Sequence, residues 1–416
     1  MLSRIGAVKA SQGGFRRIVP RALLMGLVSA SPAAADGIGT SHLPPSAPPL
    51  KGRTAEDGAA TSAVVVATGA GGTSNAGPTL SEQPSAFLDR ALGYATSRAT
   101  GLGQLDVSVN LSDRLYTAFD AAYEQSLAAS ASLTRDWSGQ QTLVTFAFAK
   151  TRDVEERLTE ASLSVTHAWT AGRVRPYVKA ETALLDYGDI PDGFQPFHNQ
   201  DDRDRISSRA TLGLRLTLTD RIDMEIGAGI DHKHYLDRFD DFGIRRGNVS
   251  LFPLLGLRYT GAQGSLSALY MPLWRTYSDD AFESAWKNAY AVEGDLTLAD
   301  GIKGFAAVRY GFEETDFLIA SVAYEAVAVA GLTLTAGKGT LTLAASRTSR
   351  TYDHLNLSDL ARADEKLEVA LYGEVPLLDT VSLTGRLGYL DYATSFGRVG
   401  TEAVTASVGL TYAATH

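Results

Sequence analysis

The chain ends on "EAVTASVGLTYAATH" (residues 402–416), in which apolar and polar side chains alternate. Successive side chains of a β-strand point to opposite faces, so the stretch predicts a strand with one apolar and one polar face. What the apolar row contacts, protein or lipid, decides the fold class. That row consists of Val404, Ala406, Val408, Leu410 and Tyr412.

The same alternation recurs upstream, for example in "RISSRATLGLRLTLT" (205–219) and "RIDMEIGAGIDHKHY" (221–235). Two kinds of connection separate these runs. The short ones carry Asp and Gly, which favour tight hairpin turns; they are residues 110–115, 134–140, 170–174, 218–222, 260–264, 298–302, 336–339 and 377–380. The others are long and polar, namely residues 186–205, 234–246, 277–287, 350–366 and 391–400. Short turns at one end and long loops at the other are typical of an outer-membrane barrel.

A soluble β-sandwich would show the same alternation, so three further observations matter. No helical pattern supplies a second apolar layer to cover the strands. Lipid requires a closed sheet with every backbone group paired, which long hairpin meanders provide. Aromatic residues stand toward strand ends, where interfacial girdles lie: Trp169, Tyr259, Tyr392 and Tyr412. We therefore predict an all-β fold, a closed antiparallel transmembrane β-barrel.

The number of strands follows from the turns. Eight hairpins and a closing strand at 401–412 give an odd total, which leaves the chain entering from the wrong side. A strand at 87–97 ("FLDRALGYATS") restores an even number and predicts about 18 strands. The alternative is a short amphipathic helix at 87–97 and a barrel of about 16 strands. Either barrel is wide enough to hold water.

Residues 1–35 predict a cleaved signal peptide. Basic residues precede the apolar run "ALLMGLVSA" (22–30), and small residues stand at Ala33 and Ala35. The run is too short to span a bilayer, so we expect cleavage after Ala35 and export from the cytoplasm. The chain has no cysteine, which fits an oxidising compartment and excludes thiol chemistry.

Residues 36–85 are rich in Pro, Gly, Ala, Ser and Thr, and predict a disordered periplasmic linker before a barrel at 86–416. A short strand at "AVVVAT" (63–68) is the alternative for part of this segment. Without the five basic residues of the signal, 33 Lys+Arg remain against 47 Asp+Glu, a net charge near −14. A chain this acidic without a concentrated basic stripe is not expected to bind nucleic acid.

The polar rows of the strands are the candidate functional surface. Because they alternate with the apolar, lipid-facing residues, they are expected to face the lumen. Their mixed charges would hydrate a passage for polar solute without creating an electrostatic potential of a single sign. The alternative is that these charges pair with one another and rigidify or occlude the lumen. The predicted lumen-lining residues are Arg175, Lys179, Glu181, Arg209, Arg215, Asp223, Glu225, Glu293, Asp295, Lys303, Arg309, Glu368 and Glu374.

Local metal and catalytic patterns are weak. His232 and His234 have the spacing of metal ligands, but their parity places them on the outer rim. The acidic loops lack an EF-hand pattern. His167 is outward beside Trp169, and neither it nor His42, His198, His354 or His416 lies in a hydrolase or zinc-protease motif. We expect no cofactor, no metal site and no catalytic residues, with a barrel enzyme acting on lipid or polysaccharide as an alternative.

Four segments carry a resemblance to a known family: "RPYVKAETALLDYGD" (175–189), "DRDRISSRATLGLRL" (202–216), "LTLAASRTSRTYD" (341–353) and "GRLGYLDYATS" (385–395). Each joins an Asp/Tyr strand tip or an Asp/Arg-rich loop exit to an alternating strand. With them, residues 86–416 resemble a family of bacterial outer-membrane β-barrel porins, some of which are linked to exopolysaccharide export. The resemblance implies a channel in the outer membrane.

The expected function is therefore a porin-like channel passing hydrophilic solute, or the exit conduit for an exopolysaccharide. A non-conducting barrel that serves as a surface-structure or assembly partner is the alternative from another class. The expected partners are the outer membrane with its lipopolysaccharide, the barrel-assembly machinery and periplasmic polysaccharide-export components. The row from Val404 to Tyr412 resembles the C-terminal signal that the assembly machinery recognises, although four residues follow Tyr412.

Overall fold

The computed structural model describes residues 61–75, 84–117, 123–152, 157–188, 203–239, 243–280, 282, 284–314, 322–352, 363–395 and 400–415. Within these ranges the chain forms twenty strand segments. They are β1 (Thr61–Thr73), β2 (Ser85–Thr100), β3 (Gly103–Tyr116), β4 (Tyr123–Trp137), β5 (Gln140–Arg152), β6 (Arg157–Trp169), β7 (Val174–Tyr187), β8 (Arg205–Thr219), β9 (Ile222–Tyr235), β10 (Asn248–Thr260), β11 (Gly264–Tyr270), β12 (Leu273–Tyr277), β13 (Ala285–Lys287), β14 (Tyr290–Ala299), β15 (Ile302–Glu314), β16 (Val322–Ala336), β17 (Gly339–Tyr352), β18 (Ala363–Pro376), β19 (Val381–Thr394) and β20 (Gly400–Thr415).

The segments form one closed antiparallel sheet. β11 and β12 both pair with β10, and they are two halves of one wall strand interrupted at residues 271–272. β13 and β14 are likewise two halves of one strand, so the described segments make a wall of 18 strands. β1 pairs with both β2 and β20, which closes the ring. The predicted barrel of 18 strands is confirmed, and the alternative of 16 is wrong.

The two ends of the barrel differ. Eight connections of two to four residues lie at one end, which we call the turn end; they are residues 101–102, 138–139, 170–173, 220–221, 261–263, 300–301, 337–338 and 377–380. Four of these turns contain a glycine in the left-handed region, for example Gly139 (φ 74°) and Gly301 (φ 76°). The remaining connections, most of them longer, lie at the other end, the loop end. β1 begins and β20 ends at the turn end.

The predicted linker at 36–85 is wrong over part of its length. Residues 61–73 form β1, and β2 begins at Ser85, so the described barrel starts at Thr61 rather than at residue 86. The segment lacks aromatic residues, but it gains backbone hydrogen bonds from two neighbouring strands and needs no apolar layer of its own. Residues 36–60 and 76–83 lie outside the described residues, as does the predicted signal peptide at 1–35.

The predicted turn at 110–115 is also wrong, because "NLSDRL" lies inside β3. Its polar residues Asn110, Ser112 and Arg114 are the inward row of that strand, and they imitate the composition of a turn. The actual turn is at residues 101–102. The predicted turn divided β3 into two strands, which raised the predicted number by one. Treating β1 as part of the linker lowered it by one, so the predicted total of 18 is still correct.

One stretch of the wall is not joined by backbone pairing. The β14–β15 ladder begins at Tyr290 and Tyr310, and no pairing among the described residues joins β13 to β15 beyond that point. Side chains meet there instead: Lys287 Nζ donates to the Tyr324 hydroxyl at 2.9 Å, and the Arg275 guanidinium lies 4.7 Å from the centre of the Phe312 ring. We call this stretch the seam.

The barrel has almost no conventional core, since its apolar residues point outward. Leu212 is 68% exposed and Val408 is 57% exposed, whereas the charged Arg114 on an inward row is 2% exposed. Among the residues whose structure is described, no helix has the length and hydropathy of a membrane-spanning segment.

Candidate functional site

The candidate site is the inner surface of the wall. Residues that stand opposite each other on neighbouring strands point to the same face of the sheet. Once the inward residues of one strand are known, the registers therefore identify the inward residues of its neighbours. All thirteen residues predicted to line the lumen lie on inward rows: Arg175, Lys179 and Glu181 on β7, Arg209 and Arg215 on β8, Asp223 and Glu225 on β9, Glu293 and Asp295 on β14, Lys303 and Arg309 on β15, and Glu368 and Glu374 on β18. Their contribution to permeation remains a prediction.

Four inward aromatic rings lie flat against the wall. Each stands directly opposite a glycine of the neighbouring strand: Phe87 opposite Gly71, Tyr177 opposite Gly213, Phe252 opposite Gly229, and Phe305 opposite Gly331. A Cβ atom on any of these glycines would fall within about 2.5 Å of the ring. Aromatic side chains commonly cover glycines of a strand in this way. The rings therefore occupy space above glycines instead of projecting toward the barrel axis.

Charges on β7, β8 and β9 pair along the wall. Arg175 bridges Thr217 of β8 (3.0 Å) and Asp223 of β9 (2.9 Å). Lys179 contacts Glu181 on its own strand at 2.8 Å. Two further pairs lie between β8 and β9, Arg209 with Asp231 (3.4 Å) and Arg215 with Glu225 (3.9 Å). These side chains run along the sheet, because their partners are on the same strand or on one of the next two strands.

A second group of charges is centred on Glu325. Its carboxylate accepts hydrogen bonds from Arg309 at 2.7 Å and from Arg350 at 2.8 Å, so one acid on β16 joins β15 to β17. Glu325 and Arg350 are nearly buried at this position, while Arg309 is about one third exposed. Nearby on β18, Glu368 contacts Lys366 at 3.3 Å.

A third group lies on β2 to β4. The buried Arg114 donates two hydrogen bonds to Asp89, at 2.6 and 3.0 Å, and its guanidinium lies 4.1 Å from the centre of the Phe87 ring. The Glu124 carboxylate is 3.9 Å away.

The remaining predicted residues are not in ion pairs among the described residues. Glu293 accepts a hydrogen bond from Ser267 at 3.0 Å, and Asp295 accepts one from Ser265. No ion pair within the described ranges involves Lys303 or Glu374. Nine of the thirteen are therefore paired along the wall. This pairing agrees with the alternative that the inward charges pair with one another and rigidify the wall.

Sequence reasoning missed several partners in these contacts. Asp231 continues the row of Asp223 and Glu225, and Glu325 stands on an alternating strand, so parity alone could have found both. Arg114 was missed because its strand was interpreted as a turn, and its partner Asp89 because residues 87–97 were considered only for the strand count.

One part of the inner wall carries no charge. The inward row of β20 contains Thr401, Ala403, Thr405, Ser407, Gly409 and Thr411, and the facing row of β1 contains Ala63, Val65, Ala67, Gly69, Gly71 and Thr73. We call these two rows the neutral strip. Five of its residues are buried, and a solute can reach only small or hydroxyl-bearing members of the remainder, such as Ala67, Ser407 and Thr411; the buried ones are Ala63, Val65, Thr73, Ala403 and Thr405.

The candidate metal and catalytic residues that the structure describes lie on the outer face of the wall. His232 and His234 are on the outward row of β9 with ring centres 6.3 Å apart. No group of three metal-ligating side chains occurs among the described residues. His167 is on the outward row of β6, 2.9 Å from Thr142 Oγ1 and against Trp169. His42, His198, His354 and His416 lie outside the described residues.

The predicted assembly row lies on the outer face. Val404, Val408, Leu410 and Tyr412 are each 45 to 57% exposed, and Ala406 shares their parity on β20. The four residues that follow Tyr412 had no expected role. Of these, Ala413, Ala414 and Thr415 pair with Val65, Val64 and Ala63 of β1, so the strand continues past the aromatic residue.

The fold of this chain is similar to the folds of several solved structures. No protein-family model matches the sequence, and no curated protein matches it. OccAB4 of Acinetobacter baumannii has a TM-score of 0.48 at 10% identity, covering 86% of this chain and 98% of that chain. OpdQ of Pseudomonas aeruginosa has a TM-score of 0.46 at 10% identity, covering 87% and 100%. The siderophore receptor PirA of Pseudomonas aeruginosa has a TM-score of 0.40 at 12% identity, covering 84% and 80%. Likenesses this distant indicate no function for this chain.

Proposed function

We propose that the protein is a passive, water-filled channel for hydrophilic solutes in the outer membrane of a Gram-negative bacterium. The observation that carries the proposal is the arrangement of the inward side chains. Aromatic rings lie over glycines, and most of the predicted lumen charges are paired along the wall. Both features keep bulky groups close to the sheet.

The size of the wall supports the same proposal. Strands about 4.8 Å apart and tilted by about 40° close, at 18 strands, into a ring roughly 35 Å across between opposite backbones. Side chains on the inward rows cannot fill a ring of this width, and barrels of this size hold water. The outward apolar rows support a lipid environment, since an aqueous surface would not expose so many leucines and valines.

The neutral strip supports a finer proposal, that the solute includes an uncharged polyhydroxylated chain such as an exopolysaccharide in transit to the cell surface. The partly exposed hydroxyl groups of Ser407 and Thr411 can exchange hydrogen bonds with sugar hydroxyls without holding a charge. Passage requires binding that is weak and distributed, which a row of small polar groups provides.

Single-channel recording in planar bilayers tests the proposal. The folded, heat-modifiable protein is expected to give stable ohmic steps, and a folded protein that inserts but never conducts would support the non-conducting alternative. Liposome swelling with uncharged oligosaccharides of increasing length tests the finer proposal. A size cut-off below a trisaccharide would exclude a polysaccharide conduit while leaving a small-solute channel in place.

The enzyme alternative has its own test. Purified protein is incubated with phospholipid, lipopolysaccharide and polysaccharide, and products are measured by mass spectrometry. We expect no turnover, because the inward charges are used in pairs along the wall. Turnover that is lost on replacing a single inward carboxylate would overturn the channel proposal.

A further inference from the structure

The inward rows of three neighbouring strands, β4 to β6, differ from the rest of the inner wall. The registers place the inward residues of β4 opposite those of β5, and the inward residues of β5 opposite those of β6. Nine of them carry a hydroxyl group, and we call these nine the hydroxyl face. They are Ser126, Ser130, Ser132 and Thr134 on β4, Thr145 and Thr151 on β5, and Ser162, Ser164 and Thr166 on β6.

Charged residues lie only at the margins of the hydroxyl face. From Gln141 to Thr151, all of which the structure describes, the inward row of β5 has no charged residue. Glu124 and Asp136 stand at the two ends of the inward row of β4, and Glu160 lies toward the loop end of β6. A solute in contact with the middle of the face therefore meets neutral groups.

The hydroxyl groups of the face are open to the lumen. All nine residues are partly exposed, whereas five members of the neutral strip are buried. Ser130 shares a hydrogen bond of 2.7 Å with Ser108 of β3, and the other eight hydroxyl groups have no hydrogen-bond partner among the described residues. Their donors and acceptors are thus available to water or to a solute.

The other side chains on these inward rows are short. Ala128, Leu143, Ala147 and Ala149 stand between the hydroxyl residues of β4 and β5. None of the four aromatic rings that cover glycines in the described part of the wall belongs to β4, β5 or β6. The lumen therefore has free space directly in front of the hydroxyl face.

The wall half a ring away is charged. Counted around the 18 wall strands, β16 is nine strands from β5, and its Glu325 accepts hydrogen bonds from two arginines. We call the wall formed by β14 to β18 the charged side. Serines there are bound to acids, since Ser267 donates to Glu293 at 3.0 Å and Ser346 donates to Glu368 at 3.3 Å. The lumen thus has a neutral side and a charged side.

The hydroxyl face extends over most of the height of the wall. Ser126 and Thr134 are eight residues apart on β4. At about 3.3 Å per residue and a tilt of about 40°, they are separated by roughly 20 Å along the barrel axis, against about 25 Å for the whole apolar band. A saccharide chain in the lumen could therefore stay in contact with hydroxyl groups during most of its passage.

We propose that uncharged saccharides pass along the hydroxyl face, off the barrel axis, and that its serines and threonines determine the preference of the channel for them. Sugar hydroxyl groups are donors as well as acceptors, so they can replace water at these side chains at little cost in free energy. Such binding is weak and distributed along the path, as permeation requires. The inference rests on the proposed channel, and it assigns the specificity for saccharides to named residues.

Single-channel recording with maltohexaose, an uncharged hexasaccharide, tests the proposal through the block of the ionic current. The triple variant T134V/T145V/T166V removes three hydroxyl groups of the face, and valine keeps the branched shape of threonine. The apparent Kd for block is expected to rise by about fivefold, because each hydrogen bond contributes modestly at a hydrated surface.

The matched control is T335V/T340V/T348V. These three threonines are partly exposed on the inward rows of β16 and β17, on the charged side. Block by maltohexaose should stay within about twofold of wild type in the control. Equal weakening in both triple variants, or undiminished block in T134V/T145V/T166V, would overturn the proposal.

A second probe tests the chemistry of the solute. A hexamer of galacturonic acid carries a carboxylate on each sugar, and it should block more weakly than maltohexaose because the hydroxyl face offers no cation to it. Tighter block by the acidic hexamer that is insensitive to T134V/T145V/T166V would assign saccharide binding to the charged side and overturn the proposal.

The same recordings separate this inference from the proposed function. A channel that conducts ions but is not blocked by maltohexaose contradicts only the role of the hydroxyl face. A folded protein that inserts and never conducts contradicts the channel, and this inference with it. Heat-modifiable migration confirms that each variant is folded, and its conductance in salt alone shows that the pore is open.

Discussion

The ring of Phe87 on β2 lies against Gly71, the residue directly opposite it on β1, and a methyl group at Gly71 would fall 2.5 Å from the ring. The same ring receives the Arg114 guanidinium 4.1 Å from its centre, and Arg114 is fixed by Asp89. β1 is therefore held from the inside as well as by its two backbone ladders.

Gly71→Ala should destabilise the barrel by about 1–3 kcal/mol, the usual cost of an added methyl group that a packed site cannot accommodate. Urea unfolding in detergent, followed by heat-modifiable migration, measures it. Gly385→Ala is the control, because its nearest non-neighbouring atom is 4.0 Å from the added Cβ and no loss of stability is expected. Equal losses in both variants would mean that the ring does not enclose Gly71.

Glu325→Gln should remove the carboxylate that joins Arg309 to Arg350. Removing one partner of a fully buried ion pair costs about 3–5 kcal/mol, and we expect about 2 kcal/mol here because Arg309 is one third exposed to the lumen. In a salt gradient the reversal potential should shift toward anions. Glu365→Gln removes the same charge from the outer face and should leave the reversal potential unchanged; a shift in that control would contradict the assignment of faces.

Deleting residues 36–60 from the mature chain should leave a folded barrel, whereas deleting residues 36–73 should not. The longer deletion removes β1, and with it the partner of both β2 and β20. Unpaired edges inside a bilayer leave backbone groups unsatisfied. Outer-membrane fractionation and heat-modifiable migration measure the outcome, and equal folding of the two deletions would show that β2 and β20 can close the ring directly.

Deleting residues 413–416 should lower thermal stability but allow insertion, because it removes the pairs that Ala413, Ala414 and Thr415 make with β1. Deleting residues 412–416 removes Tyr412 as well and should abolish insertion if the outward row of β20 is the assembly signal. Fractionation of the two truncated proteins compares them. Insertion at the same level in both would show that the signal is elsewhere.

The fold was largely predictable because side-chain alternation is a local property of each strand. Turns with Asp and Gly fixed seven of the eight positions at the turn end, and the eighth failed where Asn110, Ser112 and Asp113 made a strand look like a turn. For β1 the sequence offered only the alternative of a short strand at residues 63–68, because the small residues of β1 are stabilised by β2 and β20 more than by a pattern of their own.

The alternation of side chains along each strand predicts which residues face the lumen. This alternation places Arg309 and Glu368 on inward rows, but it does not predict which charged side chains form ion pairs. That depends on the registers, which place Glu325 between Arg309 and Arg350. The covering of Gly213 by Tyr177 depends on register in the same way, since neither residue is unusual in its own strand.

The seam is the part of the wall at which the barrel should open most easily under tension. A ring of hydrogen-bonded strands resists stretching evenly around its circumference, but in the described residues the stretch between β13 and β15 is joined by the side chains of Lys287 and Arg275. Side-chain contacts of this kind are longer and more compliant than a backbone ladder. Lateral tension in the membrane would therefore widen the loop end at the seam first. Those amides of residues 311–314 that point toward β13 instead of pairing with β16 should exchange with deuterium before the amides of any complete ladder.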